Sequence, residues 1–131
     1  MAASTIEEAL HDIIIADNTV KAITTRCYPG TLPQGAVYPL VLYMKITGNR
    51  DHALRGATGW AHPRFQVETW ATTYAGAKAL ASAVRNALDD YKGTQGSVVI
   101  GSILIDSERD VYEDVVLCHR VIMDFMIWHK E

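Results

Sequence analysis

The sequence predicts an α+β domain in which two main helices pack on a mainly antiparallel sheet of about four to five strands. Three observations predict it. Apolar residues recur at helical spacing near the start and again in the middle of the chain. Each of those stretches is followed by segments that alternate with period two. Glycine, proline and polar clusters separate them, giving the order helix, hairpin, helix, hairpin. At 131 residues the chain is the length of one domain, so residues 1–131 are read as a single unit that buries roughly two thirds of its unfolded surface.

The first helix is announced twice, by Ser4-x-x-Glu7 and Thr5-x-x-Glu8, each a capping box. Ile6, Leu10, Ile13 and Ile14 then share one face. Asp17 and Asn18 interrupt the run and can cap a short helical piece around 19–23. The stretch 28–39, with Pro29-Gly30, Pro33 and Gly35, reads as loop, and a short extra strand fits at 26–28.

Residues 38–47 alternate. Tyr38, Leu40, Leu42, Met44 and Ile46 are all apolar and are assigned to the core; Val41, Tyr43, Lys45 and Thr47 point away. Residues 48–59, GNRDHALRGATG, are expected to form a long mobile loop at the end of a hairpin. The returning strand covers 61–71, with Phe65, Val67 and Thr69 opposite Arg64, Gln66, Glu68 and Trp70. Thr72 or Thr73 can cap a helix over 74–91, striped by Leu80, Val84, Leu88 and Tyr91, with alanines beside the stripe and Gly93 as its C-cap. Asp89 and Asp90 fall at the negative end of its dipole, a small cost. Two further strands are expected over 97–107 and 115–129. The last sets Val121, Met123, Phe125 and Ile127 against Arg120, Ile122, Asp124, Met126 and Trp128.

Composition narrows the function. Apolar residues make up 49% and charged residues 21%, and the net charge is -3. No overall basic field draws the chain to nucleic acid or anionic lipid. No apolar run approaches the ~20 residues of a membrane helix. The first residues lack the basic and apolar regions of a secretory signal, so Cys27 and Cys118 are expected to be free thiols.

A search for chemistry comes back empty. The five histidines have no metal-ligand spacing, and His119 and His129 would stand roughly 33 Å apart on one strand. No nucleophile elbow, phosphate loop or dinucleotide fingerprint is present. Hence no catalytic residue, cofactor or metal is expected. What stands out is a mixed sheet face. Trp70, Met126 and Trp128 lie among Arg64, Glu68, Arg120 and Asp124. Aromatic residues, methionine and arginine together suit a subunit interface. The alternative is that the first helix covers part of this face within one monomer. Arg50, Asp51 and Arg55 on the 48–59 segment join the interface set as candidates for contacting neighbours.

Three stretches carry a resemblance: RCYPGTLPQGAVYPLVLYMKITGNRDHALRG, RFQVETWATTYAGAKALASAVRNAL and MDFMIWHKE. Tyr28-Pro29, Pro33-Gln34-Gly35 and Tyr38-Pro39 lead into the first long strand. Trp70-Ala71-x-x-Tyr74-x-x-Ala77-x-x-Leu80 and the closing Asp124-Phe125-x-Ile127-Trp128 complete the pattern. Together they resemble the tail-completion protein family of siphophages, prophages and gene-transfer particles, from about Thr5 onward. The resemblance implies a structural virion protein, made in the host cytoplasm, that closes into a ring, usually a hexamer, at the head-proximal end of a tail. Its implied partners are copies of itself, the tail tube protein and the head–tail connector. Genomic DNA would pass through the lumen without sequence-specific binding. A head–tail adaptor or stopper is a neighbouring role. A small α+β enzyme or ligand-binding dimer is the reading from another class.

Overall fold

The computed structural model describes residues 3–53 and 56–131, with side chains described outside 51–58. The elements run α1 (Ile6–Ala16), α2 (Asn18–Lys21), β1 (Cys27–Pro29), β2 (Leu40–Thr47), β3 (Arg50–Ala53), β4 (Gly56–Ala61), β5 (Arg64–Ala71), α3 (Tyr74–Leu88), β6 (Gly93–Gln95), β7 (Val98–Glu113) and β8 (Cys118–Lys130).

The helices start as their sequences dictate. Thr5 caps α1 by accepting from the Glu8 backbone N–H, while the Glu8 carboxylate accepts from the Ser4 and Thr5 hydroxyls. Of the two capping boxes, Thr5–Glu8 is the one formed. Asp17 caps α2 through the N–H groups of Thr19 and Val20. Thr73 caps α3 through Gly76 N–H. The far end of α3 differs from expectation. Asp89 is the C-cap, Asp90 takes the left-handed turn at φ 65, and Gly93 instead opens β6. Asp89 also gains a partner, since its carboxylate accepts from Ile105 N–H at 3.0 Å.

Among the described residues the sheet has eight strands, not four to five. β1 pairs with β2 in parallel; the other pairings are antiparallel. β8 is the spine. β7 runs along one edge of it from Cys118 to His129, and β5 then β4 share the other edge. The described residues 50–53 and 56–59 are therefore strand and not loop. β2–β3 and β4–β5 form one long bent hairpin, jogging at the irregularities beside Lys45–Thr47 and Arg50–His52. Leu54 and Arg55 lie outside the described residues. β7 continues six residues beyond the expected limit, because backbone pairing with β8 holds a largely exposed, mostly charged segment. Bulges between Ile100 and Ser102 and between Ile105 and Ser107 break its period-two phase. The order helix, hairpin, helix, hairpin thus holds only in outline.

All three helices cover one face. Phe65, Val67, Met123, Phe125 and Ile127 meet Leu10, Ile14, Leu80, Val84 and Leu88 there, all essentially inaccessible. Each large side chain so buried contributes about 1.5–3 kcal/mol. Val41 and Tyr43 join this core, while Leu40 and Leu42 belong to a separate cluster on the opposite face. The assignment of β2 from alternation was thus reversed, and Ile46 is 44% exposed. A strand buried on both sides reads as a continuous apolar run, so period two cannot choose its inward side.

Candidate assembly surface

The face away from the helices carries most of the residues that the sequence singles out. Strand register aligns them in rows: Leu40, Trp70 and Arg120; Leu42, Glu68 and Ile122; Met44, Gln66 and Asp124; Arg64, Met126 and Leu104. The rows divide into a covered end and an open end.

At the covered end, residues of the 28–39 segment fold over the sheet. Tyr28, Leu32, Ala36 and Tyr38 pack against Leu40, Leu42, Trp70 and Cys118, and Tyr38 stacks on Trp70 at 6.3 Å between ring centroids. Trp70 is left 6% exposed and Glu68 2%. The Glu68 carboxylate accepts from Trp70 Nε1 at 3.2 Å, from Arg120 at 3.0 Å and from Gln66 at 2.5 Å. The Arg120 guanidinium lies 5.0 Å above the Trp70 ring and also pairs with Glu113. This is a buried charge network inside one subunit. A loop covers the face, where the sequence suggested a helix.

At the open end, Arg64 bridges Asp124, at 3.1 Å, and Asp106. Those two ion pairs hold the Arg64 guanidinium above its ordinary range through the hydrogen bonds they make. Met126 is half-buried and receives Arg64 Nη1 on its sulfur at 3.3 Å. Trp128 is 38% exposed and stacks on His62 at 4.4 Å. Leu104, facing Met126 across the hairpin, is 46% exposed.

The arm contributes Arg50, whose guanidinium grips the Glu131 carboxylate at 2.8 and 3.0 Å. That double hydrogen bond raises the Arg50 guanidinium and lowers the Glu131 carboxyl relative to their ordinary values. Asp51 lies on β3, but its side chain is not among those described, and Arg55 is outside the described residues. Of the ten predicted residues, then, the sheet gathers seven on one face. Two of these, Glu68 and Trp70, are sealed beneath the 28–39 segment.

Sequence reasoning missed the residues at the tip of the β7–β8 hairpin. Val115, Val116 and Leu117 are 94%, 42% and 66% exposed. The sequence placed them at the start of the strand expected over 115–129, whereas they form the turn before β8. The available signal was three consecutive aliphatic residues beside Asp114 with no alternation.

A cleft of about 510 Å³ lies between the start of α1 and the end of β8. Within it Lys45 pairs with Glu7 at 3.5 Å, and Glu131 is held by Arg50 from β3. His129, 5% exposed in its wall, is kept below its ordinary pKa chiefly by burial. Cys27 and Cys118 are both buried free thiols, and burial pushes Cys27 up to about 12, so neither presents a thiolate. Among the described residues no three His, Cys, Asp or Glu side chains gather as a metal set. None of the described helices is long and apolar enough to cross a membrane.

No curated protein sequence matches the chain. Among solved structures, a chain from the virion of a native gene transfer agent particle is similar in fold, with a TM-score of 0.81 and 17% identity. The alignment covers 96% of this chain and 95% of that one. The family model described as tail completion protein gp17 matches residues 8–130. With that match running from the first helix to the penultimate residue, the chain belongs to the tail completion protein family.

Proposed function

We propose that this protein is a ring-forming tail terminator. It sits at the head-proximal end of a tail tube, stops tube growth and joins the tail to the head connector. Family membership across residues 8–130 carries the reading. A tail completion protein must bind what lies below and above it, and a closed ring around the tube axis does both while leaving a path for DNA. The fold neighbour from a gene transfer agent virion supports a particle component of this shape.

The chemistry of the surface supports the same role. In the cleft Lys45 is paired with Glu7 and Glu131 with Arg50, while exposed apolar residues stand on the outer sheet face and at a hairpin tip. That balance favours association over catalysis, and we infer a protein without enzymatic activity. Copies of itself, the tube protein and the connector are the proposed partners. A net charge of -3 suits a conduit for DNA, since each phosphate contact would add salt-dependent affinity.

Imaging the purified chain with tail tubes tests the proposal. Rings capping one end of each tube are expected, with a hexamer the expected size. Deletion in the producing particle should give tails of uncontrolled length. Finished tails with DNA leaking from heads would instead identify an adaptor or stopper. A stoichiometric metabolite or metal hit in thermal-shift screening, with no assembly on tubes, would overturn the structural reading.

A further inference from the structure

The segment that joins β1 to β2 is anchored at its two ends and barely between them. At the first end, β1 pairs with β2 and Gly30 N–H donates to the Tyr43 carbonyl at 2.8 Å. At the second, the Pro39 carbonyl accepts from the Thr24 hydroxyl at 2.8 Å and from Arg26 Nη1 at 3.4 Å. Among the described residues, no backbone group of 32–38 makes a hydrogen bond to the sheet. Pro33, Gln34, Gly35 and Val37 are exposed, and Leu32, Ala36 and Tyr38, which press inward, are each only half-buried. Gly30 and Gly35 bend the chain at φ 76 and φ 70, and a Cβ at either would meet open space. Left-handed backbone, not crowding, asks for glycine there, so each bend has room to move.

Beneath this segment lie Leu40, Leu42, Trp70 and Cys118, all buried. The Tyr38 ring stacks on Trp70, and its hydroxyl reaches the Cys118 thiol. The strands below are held very differently, since β2, β5 and β8 pair along their lengths and carry the helices on their other side. Opening free energies follow such differences. A segment held by a few half-buried side chains opens at far lower cost than paired strands that bury a core.

We propose that residues 31–38 form a hinged strap that lifts about Gly30 and Pro39 while the sheet and helices stay folded. Lifting uncovers Leu40, Leu42 and Trp70 and adds them to the open part of the outer face. The strap thus sets how much apolar surface the sheet shows, and it does so whether or not the chain forms a ring. The two native thiols report on it in the purified full chain, because Cys118 lies under the strap and Cys27 lies in the helix-covered core. Alkylation with iodoacetamide under native conditions, followed peptide by peptide in a mass spectrometer, gives a rate for each. Cys118 should react about tenfold or more faster than Cys27. Val84→Ala, a cut in the helix-side core, should speed Cys27 and leave Cys118 unchanged, because that core stays intact while the strap is open. Leu32→Ser should speed Cys118 by about tenfold, since its contact exists only in the closed form. Val115→Gly, which loosens the neighbouring β7–β8 turn, should leave the Cys118 rate as it is. Equal rates for the two thiols, rising together in Val84→Ala, would overturn the strap, since global unfolding alone would then reach Cys118. A Cys118 rate raised by Val115→Gly would place the opening at the turn and overturn it too, as would a rate untouched by Leu32→Ser. Val84→Ala and Val115→Gly decide between these outcomes should Leu32→Ser fail to fold.

Discussion

At the scale of single residues, Glu68 has the most demanding position. Three donors converge on a carboxylate that is 2% exposed, and one of them is the charged Arg120. Removing Glu68 takes the acceptor from the Trp70 indole and Gln66 amide and leaves Arg120 with Glu113 alone, and breaking one side of such a buried network costs more than the pair itself contributes. Glu68→Ala should therefore lower unfolding stability by about 3 kcal/mol in urea denaturation. His129 makes a pH-dependent contribution. Burial keeps it neutral in the native state, whereas in the unfolded chain it takes up a proton around its ordinary value of 6.5. The unfolded state thus binds more protons as pH falls, so stability present above 6.5 is lost progressively below it. Denaturation midpoints between pH 7 and pH 5 should fall for the wild type, and His129→Gln should flatten that slope.

Among the elements, the C-terminus of α3 shows how a local cost is offset. Asp89 stands at the unfavourable end of the helix dipole. Its carboxylate accepts from Ile105 N–H, and Asp90 N–H donates to the Ile103 carbonyl at 2.8 Å. These two bonds occupy the β7 edge where β6 has ended, satisfying backbone groups that an open edge leaves unpaired. Asp89→Ala should cost about 1–2 kcal/mol, from one half-buried N–H without its acceptor. Amide hydrogen exchange would report the loss as faster exchange at Ile105 than in the wild type. The long β2–β5 hairpin makes a similar point. Glycines and charges in 48–59 resemble a loop by composition, yet cross-strand pairing and the Arg50–Glu131 grip carry the hairpin past the edge of the core.

For the whole molecule, the β7–β8 hairpin carries exposed Val115, Val116 and Leu117 at its tip and exposed Leu104 and Trp128 on the outer sheet face, where Arg64 and Arg120 are held in ion pairs. Association through the apolar groups gains from area removed from water and depends little on screened charge. Ring assembly is therefore expected to persist when salt is raised from 0.05 to about 0.5 M, the range over which screening shortens sharply. Sedimentation velocity across that series checks it, and dissociation at high salt would point to charge contacts instead.

Helix positions, their N-terminal caps, the inward set of β5 and β8 and the family pattern were legible in the chain itself. Each depends on neighbours a few residues apart, and hydrogen bonding or spacing fixes those locally. What only tertiary structure decided was which side of β2 faces the helices, that 50–53 pairs with 56–61 as strands, and that Trp70 and Glu68 are enclosed while Trp128 stays half open. Those outcomes depend on long-range partners: the 28–39 cover, the β8 spine and two bulges that shift the phase of β7. Side chains on a sheet face are sorted into buried and free by whatever packs over them, and nothing in their own spacing encodes that cover.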